Sequence, residues 1–310
     1  PAAVAGMFYP TPSAALLRVF EALYQEGSAT SAAVRLNLGQ SAVSAALGRL
    51  RAMYGDPLFT RTGRGLTATQ RAHELSPLVI DALDKFRQSC QLSTDIGASF
   101  EGRAIALGMS DDFEIAFGRA IIQATRLAAP GLQLIFRQTY SAVVGDMLQG
   151  RALDLALVSG GISSRTFGRE TVAQGRYACL VDARSAPSPA WQLSLAEFIR
   201  REHVLVSSGG LVGVVDEVLA GVGQKRRVVA STTHFSAVPY LLQGTDALVT
   251  LPRHAALAIA AQTGLRVADC PIEMPRYGVE LAWRVDAVRD SAVGAVRDTV
   301  LRVLRGYDWT

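Results

Sequence analysis

The stretch QSAVSAALGRLRAMYGDPLFTRTGRGLTAT, residues 40–69, decides how the first part of the chain is read. Val43, Leu47, Leu50 and Tyr54 recur at three-and-four spacing, which places them on one face of a helix running from Gln40 to about Met53. Gln40, Ser41, Ser44, Ala45 and Gly48 fall on the opposite face, which is slim and uncharged. A helix that lies in a ~12 Å major groove gains from short side chains along its length. It also gains from an amide and hydroxyls at its N-terminal end, where Gln pairs with adenine edges and Ser with bases or phosphates. Pro57 then stops the helix, Leu58 and Phe59 anchor a short strand, and Arg61-Thr-Gly-Arg-Gly65 makes a glycine-hinged turn before Leu66 and Thr67 return the chain. This hairpin reads as a wing, with Arg61 and Arg64 at its tip suited to phosphates or to a narrow minor groove.

Upstream, Ser13 precedes AALLRVFEALYQEG, in which Leu16, Leu17, Phe20, Leu23 and Tyr24 mark a buried helix face and Gly27 closes it in the left-handed conformation. A second short helix from Thr30 to Leu36 turns Ala32, Ala33 and Leu36 inward, and Asn37-Leu38-Gly39 links it tightly to the third, with Gly39 a poorer N-cap than Ser. The three helices make a helix-turn-helix. An ordinary helical hairpin leaves the bare outer face and the neighbouring arginines unexplained. Between Ala29 and Arg71 stand six arginines against one acid, Asp56, while the whole chain carries a net charge of only +4. A localised positive field of this kind attracts a phosphate backbone. The DNA-facing candidates are Thr30, Gln40, Ser41, Ser44, Ala45, Arg49, Arg51, Arg61 and Arg64.

Downstream, Thr67-Ala-Thr-Gln70 reads as a capping box opening a long helix, with Leu75, Val79, Ala82, Leu83 and Phe86 as an apolar stripe that reaches to about Cys90. Such a stripe needs a partner, and the same helix of a second subunit is the expected one. Pro77 predicts a local kink. The polar run QLSTDIGASF reads as a hinge.

With 310 residues, 49% hydrophobic and a mean hydropathy of +0.22, the chain has enough apolar surface for two domains. No apolar run approaches the ~20 residues of a membrane span, and PAAVAGMFYP lacks a signal peptide's basic start and apolar core, so the cytoplasm is the expected compartment. Cys90, Cys179 and Cys270 are far apart and odd in number, which argues against a disulfide framework or clustered metal ligands; each reads as a small buried hydrophobe.

The run SATSAAVRLNLGQSAVSAALGRLRAMYGDPLFTRTGRGLTAT resembles the winged helix-turn-helix of LysR-type transcriptional regulators. The likeness is carried by Ala32-Ala33, Leu36, Gln40, Ala42-Val43-Ser44, Leu50, Gly55-Asp-Pro-Leu-Phe59, Arg61 and Leu66-Thr67. TQRAHELSPLV, with Arg71-Ala72 and Pro77, leans toward the branch of nodulation and aromatic-catabolism regulators. Two positions depart from the pattern: Gly39 stands where Ser or Thr is usual, and Arg51 where an acid is common.

The remaining two thirds alternate strand-like runs, AIALGM (104–109), LQLIFRQ (132–138), LDLALVSG (153–160), HVLVS (203–207), RVVAS (227–231) and ALVTLP (247–252), with helical stretches. That alternation predicts an α/β fold with parallel sheets. The resemblance continues through DMLQGRALDLALVSG and HFSAVPYLLQGTDALVTLPRHAALAIA. It implies a two-lobed effector-binding domain like that of periplasmic binding proteins. The implied organisation is a winged helix over 1–66, a dimerisation helix over 67–91, a hinge over 92–99 and an effector domain over 100–310. Its lobes are 100–174 with 278–310, and 175–277.

Ligands of such folds sit at the carboxyl ends of strands between the lobes. Those positions are Ser110, Asp111, Thr139, Tyr140, Ser159 and Gly160 from one lobe and Ser207, Ser208, Thr232, His234, Phe235 and Thr250 from the other. Helix starts after Ser110 and after Tyr140 favour a carboxylate or acceptor-rich ligand, while Asp111 and Asp112 oppose a strongly anionic one and read first as residues offsetting the helix dipole. His234 reads equally as a ligand contact or a loop brace. No HExxH, GxSxG, GxGxxG or CxxC pattern is present, so no catalytic, cofactor or metal role is assigned. The expectation is a ligand-responsive transcription factor acting on operator DNA as a dimer or tetramer, with an aromatic or carboxylate-bearing inducer and with RNA polymerase open as a further partner. The alternative is a solute-binding protein or enzyme carrying a helical oligomerisation domain.

Overall fold

Ser13 accepts the amide proton of Leu16 at the start of α1 (Ala14–Glu26), and Gly27 ends that helix at φ 59°. The chain is described from a computed structural model over residues 12–63, 65–91, 100–161, 166–186, 188 and 190–310, with the side chains of residues 84 and 87–91 outside the described set. It divides into two units, Pro1–Ala98 and Ser99–Thr310.

In the first unit α2 (Ala29–Leu36) is capped by Ser28 and closed by Asn37 at φ 52°. The third helix, α3 (Gln40–Tyr54), starts at Gly39 without a side-chain cap and stops at Gly55, φ 62°. Phe20, Leu23, Ala32, Val43, Leu50 and Phe59 are buried together. Each large side chain among them is worth about 1.5–3 kcal/mol of burial. Ala32 is fully covered, so its lack of bulk is what lets α2 approach the other helices.

The wing is an antiparallel ladder of β1 (Phe59–Thr62) and β2 (Gly65–Ala68), with Thr60 opposite Thr67. Leu66 donates its amide to the Gly27 carbonyl at 2.7 Å, and a Cβ at Gly65 (φ +130°) would lie 2.7 Å from that same oxygen. Only glycine permits this docking of the wing on the α1–α2 turn. Leu58 holds a left-handed φ of 56° while fully buried. The Asp56 carboxylate supports it by accepting the Leu58 amide at 2.6 Å and the Thr69 hydroxyl at 2.7 Å.

The long helix α4 spans Gln70–Gln91 and continues through Pro77. Its cap is Thr69, whose hydroxyl accepts the Ala72 amide at 3.2 Å, and not the Thr67-to-Gln70 box that the sequence suggested. Thr67 is occupied as a rung of the wing. The expected stripe is also divided. Leu75, Val79 and Leu83 pack into the core of their own unit, whereas Leu78 (66% exposed), Ala82 and Phe86 (56% exposed) line an outward face at four-residue spacing. The hinge residues 92–99 and the Cys90 side chain lie outside the described residues.

The second unit contains two five-stranded sheets. Its first lobe holds β3 (Ala104–Met109), α5 (Asp111–Ala128), β4 (Gln133–Gln138), α6 (Val144–Gln149), β5 (Leu155–Val158) and β6 (Phe167–Gly175). The chain then crosses at Arg176 into a lobe built of β7 (Tyr177–Asp182), α7 (Leu195–Arg200), β8 (Glu202–Val206), α8 (Val214–Gly221), β9 (Arg227–Thr232), α9 (Val238–Leu242), β10 (Leu248–Pro252), α10 (Arg253–Ala260) and β11 (Leu265–Asp269). It returns through residues 270–276 as β12 (Tyr277–Arg284) and α11 (Ser291–Arg305). Strand orders are β4-β3-β5-β12-β6 and β11-β7-β10-β8-β9. Phe113, Phe117, Leu281, Val296 and Leu304 are among the buried residues of the first lobe, and Val204, Val249 and Leu251 of the second.

The sheets are mixed, not parallel as expected. β3 runs parallel to β4 and β5, but β12 is antiparallel to β5 and β6, and β7 is antiparallel to β10 and β11. The two crossovers explain this. β6 leaves the first lobe where β12 enters it, and β7 enters the second where β11 leaves, so each neighbouring pair must oppose. A second correction concerns α6. It starts at Val144 and not directly after Tyr140, because residues 141–143 form a turn whose Tyr140 carbonyl accepts the Val143 and Val144 amides at 3.0 and 3.1 Å.

Candidate functional site

Two surfaces carry the chemistry, one in each unit. On the first, Gln40, Ser41, Ser44 and Ala45 are all exposed along α3, opposite the buried Val43, Ala46, Leu47 and Leu50. Gln40 and Ser44 line a cleft of about 430 Å³ together with Thr30 at the start of α2 and Arg61 and Thr62 of the wing. Amide, hydroxyl and guanidinium groups therefore converge on one concave face. Arg49 is exposed on α3, and Arg64 lies outside the described residues.

Arg51 lines the cleft too, but its guanidinium has a task the sequence did not disclose. Nε donates to the Pro57 carbonyl at 2.8 Å and Nη2 to the Phe59 carbonyl at 2.7 Å. A basic residue where the related pattern has an acid thus ties the end of α3 to the first strand of the wing.

On the second surface, a cavity of about 240 Å³ opens between the lobes. Ser110, Thr139, Tyr140, Ser159, Ser207, Ser208 and Phe235 line it, as their strand-end positions predicted. Gln138, Ser141 and Thr233 add polar groups, and Leu157, Val158, Val206 and Pro252 an apolar floor. Gln138, Ser141 and the apolar floor were not among the positions chosen from the sequence, and Gln138 lines the cavity beside its neighbour Thr139. Thr139 is 1% exposed and its hydroxyl has no hydrogen-bond partner within the protein. No Lys, Arg or His is among the described lining residues.

Five candidates lie off the cavity wall. Asp111 turns its Oδ2 to the Ser236 amide and hydroxyl at 3.1 and 3.2 Å, clasping the lobes together. Gly160 has no side chain to offer, and its carbonyl accepts the Ser141 hydroxyl at 3.4 Å. The Thr232 hydroxyl caps the His234 amide at 3.3 Å, and the His234 side chain is exposed. Thr250 faces Cys179, 3.5 Å from its sulfur. Cys179 and Cys270, 91 positions apart, are free thiols of one apolar core, as small hydrophobes would be, and bring their sulfurs to 3.8 Å.

Asp112 is the other residue whose role emerges only from the fold. It is 2% exposed, accepts the Ser110 hydroxyl through Oδ1, and faces His254 Nε2 of the second lobe at 3.1 Å through Oδ2. With Nε2 donating, Nδ1 of His254 is the acceptor, and the Tyr277 hydroxyl lies 3.4 Å from it and 3.4 Å from the Arg176 carbonyl. Burial, reinforced by Asp112, pushes the Tyr277 phenol well above its usual range, so it stays a proton donor. A buried chain of polar groups therefore runs from the cavity wall at Ser110 to both crossovers. Phe113 stacks on His254 with centroids 4.7 Å apart, and Phe117 and Trp309 enclose the ring.

Residues 14–73 match the family model of bacterial regulatory helix-turn-helix proteins of the lysR family, and residues 99–305 match the LysR substrate binding domain. The HTH-type transcriptional activator NagR of Ralstonia sp is 31% identical over 89% of this chain and 91% of its own length. NahR of Pseudomonas putida, also an HTH-type transcriptional activator, is 30% identical over 89% and 92%. The crystal structure of the probable transcriptional regulator PA0477 from Pseudomonas aeruginosa superposes with a TM-score of 0.74 at 28% identity, covering 96% of this chain and 98% of that one.

Proposed function

The chain belongs to the LysR family of bacterial transcriptional regulators, and from that premise we propose which of its residues read DNA and what its effector domain senses. The family assignment makes it a DNA-binding regulator with an effector-binding domain and not an enzyme, which removes the alternative of a solute-binding protein or catalyst. Gln40 and Ser44 contact base edges in the major groove, with Ser41 and Ala45 alongside. Thr30, Arg49 and Arg61 contact phosphates or the flanking minor groove, and Arg64 adds charge at the wing tip. The observation that carries this reading is the convergence of Gln40, Ser44, Thr30 and Arg61 on one exposed cleft.

The inducer is a single-ring aromatic acid or phenol. A cavity of about 240 Å³ is smaller than the ~300–1,000 Å³ of drug-sized sites. Its apolar floor suits one ring, and its hydroxyls, with the unpartnered Thr139, suit acceptor oxygens. Because the Asp112 carboxylate already has two partners, it needs nothing from the occupant. An occupant that engages the Ser110 hydroxyl weakens its bond to Asp112 and so biases the lobes through His254 and Tyr277.

The protein acts as an activator, as its two named relatives do, from a dimer paired through the outward face of α4 and assembled further into a tetramer beside RNA polymerase. No described helix is long and apolar enough to cross a membrane, and the cytoplasm is the proposed location. Footprinting on the DNA upstream of the protein's own gene, with and without a panel of monocyclic aromatic acids, tests the proposal. A protected pseudo-palindrome whose length changes with one panel member supports it. Equal affinity for upstream and random DNA of the same length refutes the residue assignment, and a footprint that no panel member alters refutes the inducer class.

A further inference from the structure

Cys179 stands on β7, three residues past the crossover at Arg176, and Cys270 directly follows β11, at the head of the return crossover to β12. The two strands are antiparallel neighbours with Ala268 opposite Cys179, which brings the sulfurs to 3.8 Å. Both thiols are free. Cys179 is fully buried, and Cys270, half-buried, packs against the apolar cluster that contains Cys179, as Trp191, Ile272 and Met274 also do.

Two features distinguish this pair from ordinary core cysteines. The Cys270 S–H hydrogen bond holds the Cys179 thiol below its usual range, while the same bond and burial push Cys270 up, so one sulfur is the nucleophile and the other keeps the proton. In addition, β11 is the edge strand of its sheet, and the segment after it, 270–276, is irregular, so Cys270 has freedom to move that a central strand lacks. A disulfide needs about 2.05 Å between sulfurs. Closing the gap from 3.8 Å therefore draws the head of the return crossover toward β7. Pro271 and Pro275 stiffen that crossover, and it ends at Tyr277, the residue whose hydroxyl reaches His254 and the other crossover at Arg176.

We propose that Cys179 and Cys270 form a peroxide-sensitive dithiol whose oxidation to an intramolecular disulfide resets the crossovers between the lobes, a second input beside the inducer cavity. In the first step the Cys179 sulfur attacks one oxygen of hydrogen peroxide. The O–O bond breaks, an S–O bond forms, and the other oxygen leaves as water with the thiol proton. The Cys270 sulfur then attacks the resulting sulfenic acid, the S–S bond forms, and the S–O bond breaks to release water with the second proton. Two thiols give up two electrons and the peroxide takes them, so no further reactant is needed.

Full-length reduced protein treated with hydrogen peroxide tests this, read by peptide mapping after thiol alkylation. Free thiols per chain fall from three to one, the Cys179 and Cys270 peptides are joined with loss of two hydrogens, and dithiothreitol restores all three. Amide exchange over residues 270–277 slows in the oxidised form. Cys90→Ser retains the cross-link, and Cys270→Ser, at the half-buried position, abolishes it without challenging the core as Cys179→Ala does. The proposal is overturned if peroxide leaves both thiols open to alkylation, converts them to higher acids without a cross-link, or joins either to Cys90 or to another chain. An oxidised protein with unchanged exchange over 270–277 equally overturns the role assigned to the crossovers.

Discussion

Replacing Asp112 with Ala removes the acceptor that the buried His254 faces. Both residues are 2% exposed, and the ring is enclosed by Phe113, Phe117 and Trp309, so only water entering from the cavity that Asp112 lines can reach the lost partner's place. A buried donor left without its charged acceptor costs about 2–3 kcal/mol. The Ser110 hydroxyl adds little, because it lines the cavity and can turn to solvent. For a unit of this size each kcal/mol lowers the midpoint by about 2–4 °C, so the effector-domain transition falls by about 4–12 °C. Asp112→Asn keeps an acceptor oxygen for His254 and a donor for Ser110, and its loss stays under about 1 kcal/mol. Scanning calorimetry of the full-length protein at pH 7 measures both. A cycle with His254→Ala isolates the pair, with a coupling of about 1 kcal/mol or more. Equal losses for Ala and Asn, or additive single and double mutants, refute the claim that this bond joins the lobes.

Three further outcomes follow from the same structure. Gln40→Ala reduces operator preference over random DNA by about 5- to 150-fold, while Arg61→Ala weakens both alike and lowers the salt slope by about 0.9, each read from binding titrations across salt concentrations. Burial lowers the His203 imidazole from 6.5 to about 4, with Nε2 donating to the Phe198 carbonyl at 2.7 Å. The unfolded chain then binds a proton that the folded one refuses between those values. Stability is full above about pH 6.5 and falls by about 3 kcal/mol on acidification to pH 4, and in urea unfolding at stepped pH His203→Gln loses this component of the slope. A methyl group at Gly175 would lie 2.2 Å from the Tyr277 ring, so Gly175→Ala displaces that ring from Arg176 and His254 and costs about 1–3 kcal/mol in the same assay.

The first unit was largely legible from its residues in order. Its caps, its helix faces and its wing are local: Ser13, Gly27 and Gly55 act on neighbours within a few positions, and Val43, Leu47 and Leu50 announce a face by spacing alone. The one cap misplaced, Thr67 for Thr69, went astray because a strand partner seven positions back along the hairpin, Thr60, had already engaged Thr67. Half of the α4 stripe was likewise taken up by a core that spacing does not reveal. In the second unit the strand-end rule brought Ser110, Thr139, Tyr140, Ser159, Ser207, Ser208 and Phe235 to the cavity, because pleat and strand direction are properties of a run of residues. Asp112 facing His254, Cys179 beside Cys270 and the antiparallel β12 belong to another category. Each pairs residues about 90 or more positions apart, and the two crossings between lobes, not any local pattern, bring them within reach. Periodicity encodes which way a side chain faces, but what it meets there depends on how the whole chain closes on itself.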